Sequence, residues 1–356
     1  MASIRKKGEY QWHAQIRRKG YVAQTKTFNT RIEAETWARA VENEMDRGVF
    51  VSRAEAESTT LHSALDRYER EVSKLKKGHD QEKYRISAWK EHPFARRSLA
   101  SLRSSDFAEY RDNRLAAGTS AATIRNDLAV ISHLFTTCAK EWSIPVVNPV
   151  ANIRMPRVNN ARERRLVGDE ETRIQAAFDA AEKAGGGKRT NIWMRSAFVV
   201  AIETAMRQGE LLGLRWEHID LKRRVAHLPK TKNGDARDVP LSSRAVAALE
   251  ALPHAIKGQV FATTASALDQ SWRRCVARAR RMYEAELKQA GVSDGDIADN
   301  PLLVNLTWHD LRHEGTSRLA EKLAMHELMK VTGHKDTRML ARYYHPKAED
   351  LARKLG

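Results

Sequence analysis

The sequence predicts a mainly α fold with small β elements, an α+β protein built from several domains, and three observations carry that expectation. The chain has 356 residues, more than one compact core ordinarily organises. Apolar residues recur at helical spacing over residues 59–144 and over most of the stretch from 166 to the end. Period-2 alternation is confined to the N-terminal segment and to residues 224–241. The expected divisions are an N-terminal sheet-plus-helix unit at 1–57, a helical bundle at 58–150, a basic linker at 151–165 and a mostly helical domain with a β-hairpin at 166–356.

Charge points to the partner. Lys and Arg number 62 against 45 Asp and Glu, a net charge of +17 with an isoelectric point near 9.9. Such an excess favours a polyanion, because each neutralised phosphate releases condensed counterions. No apolar run approaches the roughly 20 residues of a spanning helix and no signal-peptide pattern opens the chain, so a cytoplasmic protein without a membrane partner is expected. Cys138 and Cys275 stand far apart without metal-ligand spacing, which argues against a disulfide framework and a zinc site.

The N-terminal unit is polarised. Residues 1–31 carry eight basic residues and one acidic residue, whereas 32–57 carry three basic and seven acidic. Tyr10, Trp12, Ala14 and Ile16 alternate with Gln11, His13, Gln15 and Arg17, the pattern of a strand with one apolar face. Lys19-Gly20 reads as a turn into a second strand from Tyr21 to Phe28, and Ala34, Trp37, Ala38, Val41 and Met45 mark one face of a helix. Packing the aromatic face on that helix leaves Gln11, His13, Gln15, Arg17, Gln24 and Lys26 on an open face suited to a DNA groove. A plain solvated face is the alternative.

In the next domain Leu61, Ala64, Leu65, Tyr68 and Val72, then Ile124, Leu128, Ile131, Leu134 and Phe135, indicate a bundle of four or five helices. Lys74, Lys76, Lys77, Arg96 and Arg97 form basic clusters that either face DNA or are solvated. Pro145, Pro149 and Pro156 then limit helix continuation, and Arg154, Arg157, Arg162, Arg164 and Arg165 follow with only Glu163 opposing. This reads as a basic linker between two DNA-contacting domains.

The last domain is helical apart from Gly185-Gly186-Gly187 and a hairpin, in which Val225 and His227 lead into Lys230-Thr231-Lys232-Asn233-Gly234 and Arg237, Val239 and Leu241 follow. Lys232 sits at the turn. In Thr204-Ala205-Met206-Arg207-Gln208-Gly209-Glu210-Leu211 an arginine stands in an apolar, buried-looking helical region, where it needs a partner. Glu210 supplies one, either as an internal ion pair or by keeping Arg207 aimed at a phosphate. Thr307-Trp308-His309-Asp310-Leu311-Arg312 reads as a helix start with Thr307 and Asp310 as a capping box. His309 and Arg312, at i and i+3, can converge on one anion. Gly333-His334 and then Arg342-Tyr343-Tyr344-His345-Pro346 complete the set. Asp294, Asp296 and Asp299 are read as a solvated loop and not a metal cluster.

Together these residues resemble the tyrosine recombinase, or phage integrase, family. Its first box looks like T-G-x-R-x-x-E-L, with Ala205 here in place of glycine, a departure expected to be harmless. The family's hairpin lysine matches Lys232, its H-x-x-R box matches His309 and Arg312, and its L-G-H box matches Thr332-Gly333-His334. The family's nucleophilic tyrosine commonly lies nine residues after that histidine, which is Tyr343; Tyr344 is the second candidate. The resemblance covers nearly the whole chain, since an arm-binding unit and a helical core-binding domain before the catalytic domain are usual. The segments around Arg207 and Arg215 also look like those of shufflon-type DNA invertases.

The resemblance implies cleavage and rejoining of double-stranded DNA through a 3′-phosphotyrosyl bond, which stores the energy of the broken phosphodiester. An ordinary phenol titrates near 10, so the site must stabilise its anion or accept its proton. Arg207 and Arg312 would hold the non-bridging oxygens, Lys232 would protonate the departing 5′ hydroxyl, and His309 and His334 would add hydrogen bonds, with His309 assisting Tyr343. No metal or other cofactor is implied. The implied assembly is a homotetramer on DNA passing through a Holliday junction, with DNA-bending or directionality proteins as further partners; residues 347–356 are either a helix docked on a neighbouring protomer or a frayed end. Integration or excision of a mobile element and inversion of a segment both stay open. The rivals are a type IB topoisomerase and an inactive DNA-binding protein.

Overall fold

The computed structural model describes residues 2–48, 50, 52–159, 162–183, 191–229 and 236–344, and the chain forms two compact units, Met1–Asn160 and Ala161–Gly356. The glycine run at 185–187, the hairpin tip with Lys232 and the tail from 347 lie outside the described residues.

The first unit opens with an antiparallel sheet of β1 (Ser3–Gly8), β2 (Gln11–Ile16) and β3 (Gln24–Phe28), in that order. Strand β1 escaped the alternation test because Arg5-Lys6-Lys7 leaves little apolar signal in it. Helix α1 (Arg31–Asp46) starts at Thr30, whose hydroxyl accepts the Glu33 amide at 3.2 Å while the Glu33 carboxylate accepts the Thr30 amide at 3.1 Å. Its Ala38, Val41 and Met45 bury against Ile16, with Ile4, Tyr21 and Trp37 around them.

Register corrects the expected open face. Ala14 stands opposite Lys26 and Ile16 opposite Gln24, and directly opposed residues share a face. Lys26 and Gln24 therefore lie on the helix side of the sheet. The reason is the period of two: Lys26 shares a face with Phe28, whose ring packs on Trp37 at 5.5 Å, and burying Phe28 carries Lys26 with it. The lysine ammonium stands 6.0 Å from the centre of the Phe28 ring and reaches Glu57 at 3.7 Å. Gln11, His13 and Gln15 do share the open face, together with Arg5, Thr25 and Thr27. Arg17 is exposed just beyond β2.

Helices α2 (Ala54–Ser58), α3 (Leu61–Glu71), α4 (His79–Glu91), α5 (Ser104–Ala116) and α6 (Ala121–Lys140) form the bundle. Leu65, Tyr68, Ile86, Trp89 and Phe107 pack on Ile124, Leu128, Ile131, Leu134 and Phe135. Two members of the basic clusters serve this fold: Lys76 binds Glu82 at 2.8 Å, and Arg97 clamps both oxygens of Asp106 at 2.9 and 3.0 Å. The proline-containing segment is docked on the bundle as well. Arg111 donates to the Arg154 carbonyl at 2.6 Å and Ile153 and Met155 pack on the core, while the side chains of Arg154 and Arg157 stay exposed.

The second unit runs through α7 (Glu170–Lys183), α8 (Met194–Thr204) and α9 (Gln208–Leu212) into a small sheet, β4 (Ile219–Asp220), β5 (Val225–Leu228) and β6 (Arg237–Pro240). Strands β5 and β6 are the predicted hairpin, Leu228 opposite Arg237, and β4 adds an edge that the sequence pattern did not mark. Then come α10 (Ser243–Glu250), α11 (Ala265–Gln289), α12 (Asp294–Asp299), α13 (Trp308–Ala320), α14 (Met325–Thr332) and α15 (Arg338–Ala341). The expected loop at Asp294 is instead the helix α12, capped by Ser293, whose hydroxyl accepts the Asp296 amide at 3.2 Å.

Helix α8 is buried on nearly all sides, with only Arg195 and Glu203 partly exposed, as befits a helix enclosed by others. It packs on α10, α11 and α13, and Phe198 stacks on Trp272 of α11 at 5.7 Å. Its crossing with α13 is set by Gly315: a Cβ built there falls 2.3 Å from the Ile202 carbonyl oxygen and 3.2 Å from the Ala205 Cα. Only glycine lets the two backbones come this close. Gly315→Ala is expected to destabilise the protein by about 2–3 kcal/mol, because the clash is with backbone and outweighs alanine's better helix propensity. Urea unfolding checks this; an unchanged midpoint would show that the helices separate without cost.

Candidate active site

The close crossing brings the C-terminal end of α8 against the middle of α13. Helix α8 stops at Ala205, which takes the left-handed conformation at φ 51° and ψ 26°. Replacing the family's glycine here is therefore not neutral: a residue with a Cβ in this region costs roughly 1–2 kcal/mol. Arg207 does not sit inside a helix, as the apolar surroundings suggested, but in extended backbone at the start of α9.

Glu210 organises the cations around it. Its carboxylate accepts the Arg207 amide at 3.0 Å and the Arg207 guanidinium at 2.9 Å. It also accepts both terminal nitrogens of Arg237, at 3.1 and 2.7 Å. Burial opposes ionisation of Glu210, but these donors win and bring its pKa down to about 2. Arg237, at the root of the hairpin, donates through Nε to the Val331 carbonyl at 2.9 Å. One carboxylate thus ties the α8–α9 junction through the hairpin to the end of α14.

Arg312 is 6% exposed. Its guanidinium donates to the Ala205 carbonyl at 2.6 Å and to the Thr332 carbonyl at 2.9 Å, and lies 3.3 Å from His334 Nε2. Burial, then the charge of Arg207, lowers its pKa to about 10, so it stays cationic at neutral pH. Helix α14 ends at Gly333, left-handed at φ 69°. A Cβ there would fall 2.9 Å from Arg237 Nη1, so Arg237 would have to shift to admit one. Hydrogen bonding defines the neighbouring imidazole. The Thr332 hydroxyl donates to the Leu328 carbonyl at 2.6 Å, so its contact with His334 Nδ1 at 2.7 Å is donated by the ring, leaving Nε2 to accept from Arg312. Burial and the charge of Arg312 hold His334 down at about 4, in this neutral form.

The capping box at α13 is present, with Asp310 accepting the Thr307 amide at 2.6 Å. His309 is exposed, and its pKa is lowered by desolvation and by Arg312. It stands edge-on to His313 one turn later, with ring centres 5.0 Å apart. His313 is the side chain that meets the tyrosine: its Nδ1 lies 2.5 Å from the Tyr343 hydroxyl, and the rings stack at 6.1 Å. Arg342 donates to that hydroxyl at 2.9 Å and lies 3.3 Å from His313 Nδ1. Tyr344 faces elsewhere, donating to the Leu323 carbonyl at 2.8 Å.

A cleft of about 220 Å³ lies in front of Tyr343, lined also by His313, Ser317, Arg342, Arg162, Glu163 and Arg165. The linker arginines are not free cations. Arg162 grips Asp310 at 2.5 and 2.7 Å, Arg164 pairs with Glu170, and Arg165 binds Glu314 at 3.0 Å. The three carboxylates are buried, which fixes residues 162–165 on this unit, and Arg162 and Arg165 still line the cleft.

The described residues thus bring together Arg207, Glu210, His309, Arg312, His334 and Tyr343, whereas Lys232 lies outside them. Arg237, His313 and Arg342 were missed in the sequence. His313 had a signal, since His309 and His313 are one helical turn apart and so share a face.

Two family models match the chain: the phage integrase family over residues 165–350, and the phage integrase N-terminal domain over residues 58–157. A shufflon-specific DNA recombinase of Escherichia coli is 40% identical over 305 residues, covering 83% of this chain and 71% of that protein. A putative integrase/recombinase of Haemophilus influenzae is 32% identical over 358 residues, covering 99% of this chain and 88% of that one. Among solved structures, a lambda integrase tetramer bound to a Holliday junction superposes with a TM-score of 0.61 at 20% identity, covering 96% of this chain and 94% of that one. The Tn1549 transposon integrase in complex with circular intermediate DNA gives a TM-score of 0.62 at 19% identity, covering 84% of this chain and 100% of that one. The chain belongs to the phage integrase family, the tyrosine-type site-specific DNA recombinases.

Proposed function

We propose that Tyr343 attacks a phosphodiester of double-stranded DNA at a specific site, forming a 3′-phosphotyrosyl bond and releasing a 5′ hydroxyl. The observation that carries this is the setting of the two tyrosines: the Tyr343 hydroxyl faces a cleft beside His313 and Arg342, while that of Tyr344 is taken by the Leu323 carbonyl. Arg207 and Arg312 bind the non-bridging oxygens and stabilise the charge that develops on them. Glu210 positions Arg207, and His309 adds a hydrogen bond from the rim. His334 accepts from Arg312, so it gives the phosphate a hydrogen bond only after turning or taking up a proton. Lys232 protonates the leaving 5′ oxygen. The arginines supply the positive charge, and the mechanism uses no metal or other cofactor.

The protein acts on DNA in the cytoplasm as a homotetramer and passes through a Holliday junction, a reading supported by the assembly of lambda integrase on such a junction. Gln11, His13 and Gln15 on the open face of the sheet, with Arg17 beside it and Arg154 and Arg157 past the bundle, contact DNA outside the site of cleavage; accessory bending or directionality proteins act with it. Integration or excision of a mobile element is the leading role. Inversion is the second reading, and the 40% identity to the shufflon-specific recombinase favours it.

The test is a nicked suicide duplex carrying the junction sequence of the protein's own element. A covalent adduct whose DNA-linked peptide contains Tyr343 is expected, with recombination that requires the site. A gel shift without any adduct would leave only DNA binding, and relaxation of any supercoiled plasmid at catalytic amounts would indicate a topoisomerase. Exchange between directly repeated sites releases a circle, whereas exchange between inverted sites flips the segment, which separates the two roles.

A further inference from the structure

We infer that His313, one turn beyond His309 on the same helix, is the base that takes the proton of Tyr343 as its oxygen attacks phosphorus. The inference rests on Tyr343 being the nucleophile.

Hydrogen-bond polarity makes the case. Arg342 has only donors, and its Nη2 lies 2.9 Å from the Tyr343 oxygen and 3.3 Å from His313 Nδ1. Both atoms present lone pairs to that guanidinium. The proton between them, across 2.5 Å, is then the phenolic one, with the tyrosine donating and His313 Nδ1 accepting. The imidazole carries its own proton on Nε2. His309, the other histidine of the helix, contacts the edge of the His313 ring and makes no described hydrogen bond to the tyrosine.

The step balances without any further reactant. The Oη–H bond breaks and its proton passes to His313 Nδ1; the Oη–P bond forms and the P–O5′ bond breaks, the leaving oxygen taking a proton from a separate acid. The imidazolium returns its proton to Oη when a 5′ hydroxyl attacks and the DNA is resealed. Arg342 stabilises the charge on Oη in both directions.

The surroundings keep this base neutral and couple it to DNA. Facing His313 are His309, Asp310 and Arg312 of α13, Arg342 and Tyr343 of the C-terminal segment, and Arg162, Glu163 and Arg165 across the cleft. Burial first, then His309 and Arg342, press its pKa down to about 4, so it is an open acceptor at neutral pH. A phosphate entering the cleft offsets those positive charges and raises the proton affinity of the ring when the substrate is in place. Sequence reading placed this task on His309; the geometry moves it one turn along.

The experiment measures single-turnover cleavage of the nicked junction duplex between about pH 6 and 9. It compares the full-length wild type, His313→Asn, His309→Asn and proteins carrying fluorotyrosine, a more acidic phenol, at position 343. His313→Asn is expected to cleave about 10²–10³-fold more slowly at neutral pH, with the deficit narrowing as pH rises, DNA affinity unchanged, and much of the rate restored by fluorotyrosine. The His309→Asn deficit is expected to be constant across pH. A His313→Asn deficit that is flat with pH and untouched by fluorotyrosine would reduce His313 to a packing role and overturn the inference. Should His313→Asn fail to fold, His313→Gln is read in its place by the same two criteria, the narrowing of the deficit with pH and its rescue by fluorotyrosine. Mapping the wild-type adduct to Tyr344 would overturn the nucleophile itself, an outcome distinct from either.

Discussion

Tyr343→Phe is expected to abolish the covalent protein–DNA adduct, while Tyr344→Phe keeps it near the wild-type yield. The first change removes one oxygen and leaves the ring, which stacks on His313 at 6.1 Å and lies under the Arg342 guanidinium at 5.0 Å. Packing and DNA affinity should therefore survive, and the loss is chemical. The second change removes a hydroxyl that donates to the Leu323 carbonyl at 2.8 Å, a bond worth about 1 kcal/mol of stability and no chemistry. Burial raises the Tyr344 pKa, a further disadvantage for an attacking phenolate. Denaturing gels of suicide reactions with both variants check this. A persistent adduct in Tyr343→Phe that disappears in Tyr344→Phe would reverse the assignment.

The contrast between the two tyrosines shows which parts of the site were legible in the sequence. Arg207, His309, Arg312, His334 and Tyr343 announced themselves through order and spacing, because the helix starts and turns that hold them have local signatures. The capping box at Thr307 and the Asn-Gly hairpin are written in a few neighbouring residues. Contacts made only by folding left no such trace. Arg237 looked like one strand residue among others, yet it binds Glu210, 27 positions earlier, and the Val331 carbonyl, 94 positions later. Arg342 looked like a basic neighbour of the tyrosine until its guanidinium proved to bridge that residue and His313.

The fold follows the same division. The apolar helices of the bundle and α8 were legible because burial of a whole face imposes a period on the sequence. Strand β1 was not, since three consecutive basic residues hide its alternation, and the open face was misread because the register sets Lys26 opposite Ala14, on the helix side of the sheet, although the residue itself stays exposed. The arginines at 162, 164 and 165 show what a charge run leaves unsaid. A run of positive charge looks like a phosphate ligand, and only the tertiary structure shows that each is matched by a buried carboxylate from a distant helix or the next turn. The total of 62 Lys and Arg therefore overstates the cations free to meet DNA, whereas the net charge of +17 already discounts such pairs.

Arg312→Lys keeps the charge and is nonetheless expected to slow cleavage by about 10³-fold. The guanidinium spans two helix ends, with one nitrogen on the Ala205 carbonyl and another on the Thr332 carbonyl and His334. A lysine ammonium offers its protons from a single point and cannot reach both ends while facing a phosphate. Its charge is also less secure. The same burial and the same neighbouring Arg207 that bring the arginine to about 10 act on a group that starts lower and drive it toward the neutral form. The variant's cleavage should therefore fall further as pH rises from about 7 to 9, while the wild type, protected by its higher pKa, does not follow. Single-turnover cleavage across that range, with gel shifts to confirm that DNA still binds, checks both statements. Retention of rate to within about tenfold would mean that positive charge alone suffices at position 312 and that the fork between α8 and α14 has no part in transition-state stabilisation.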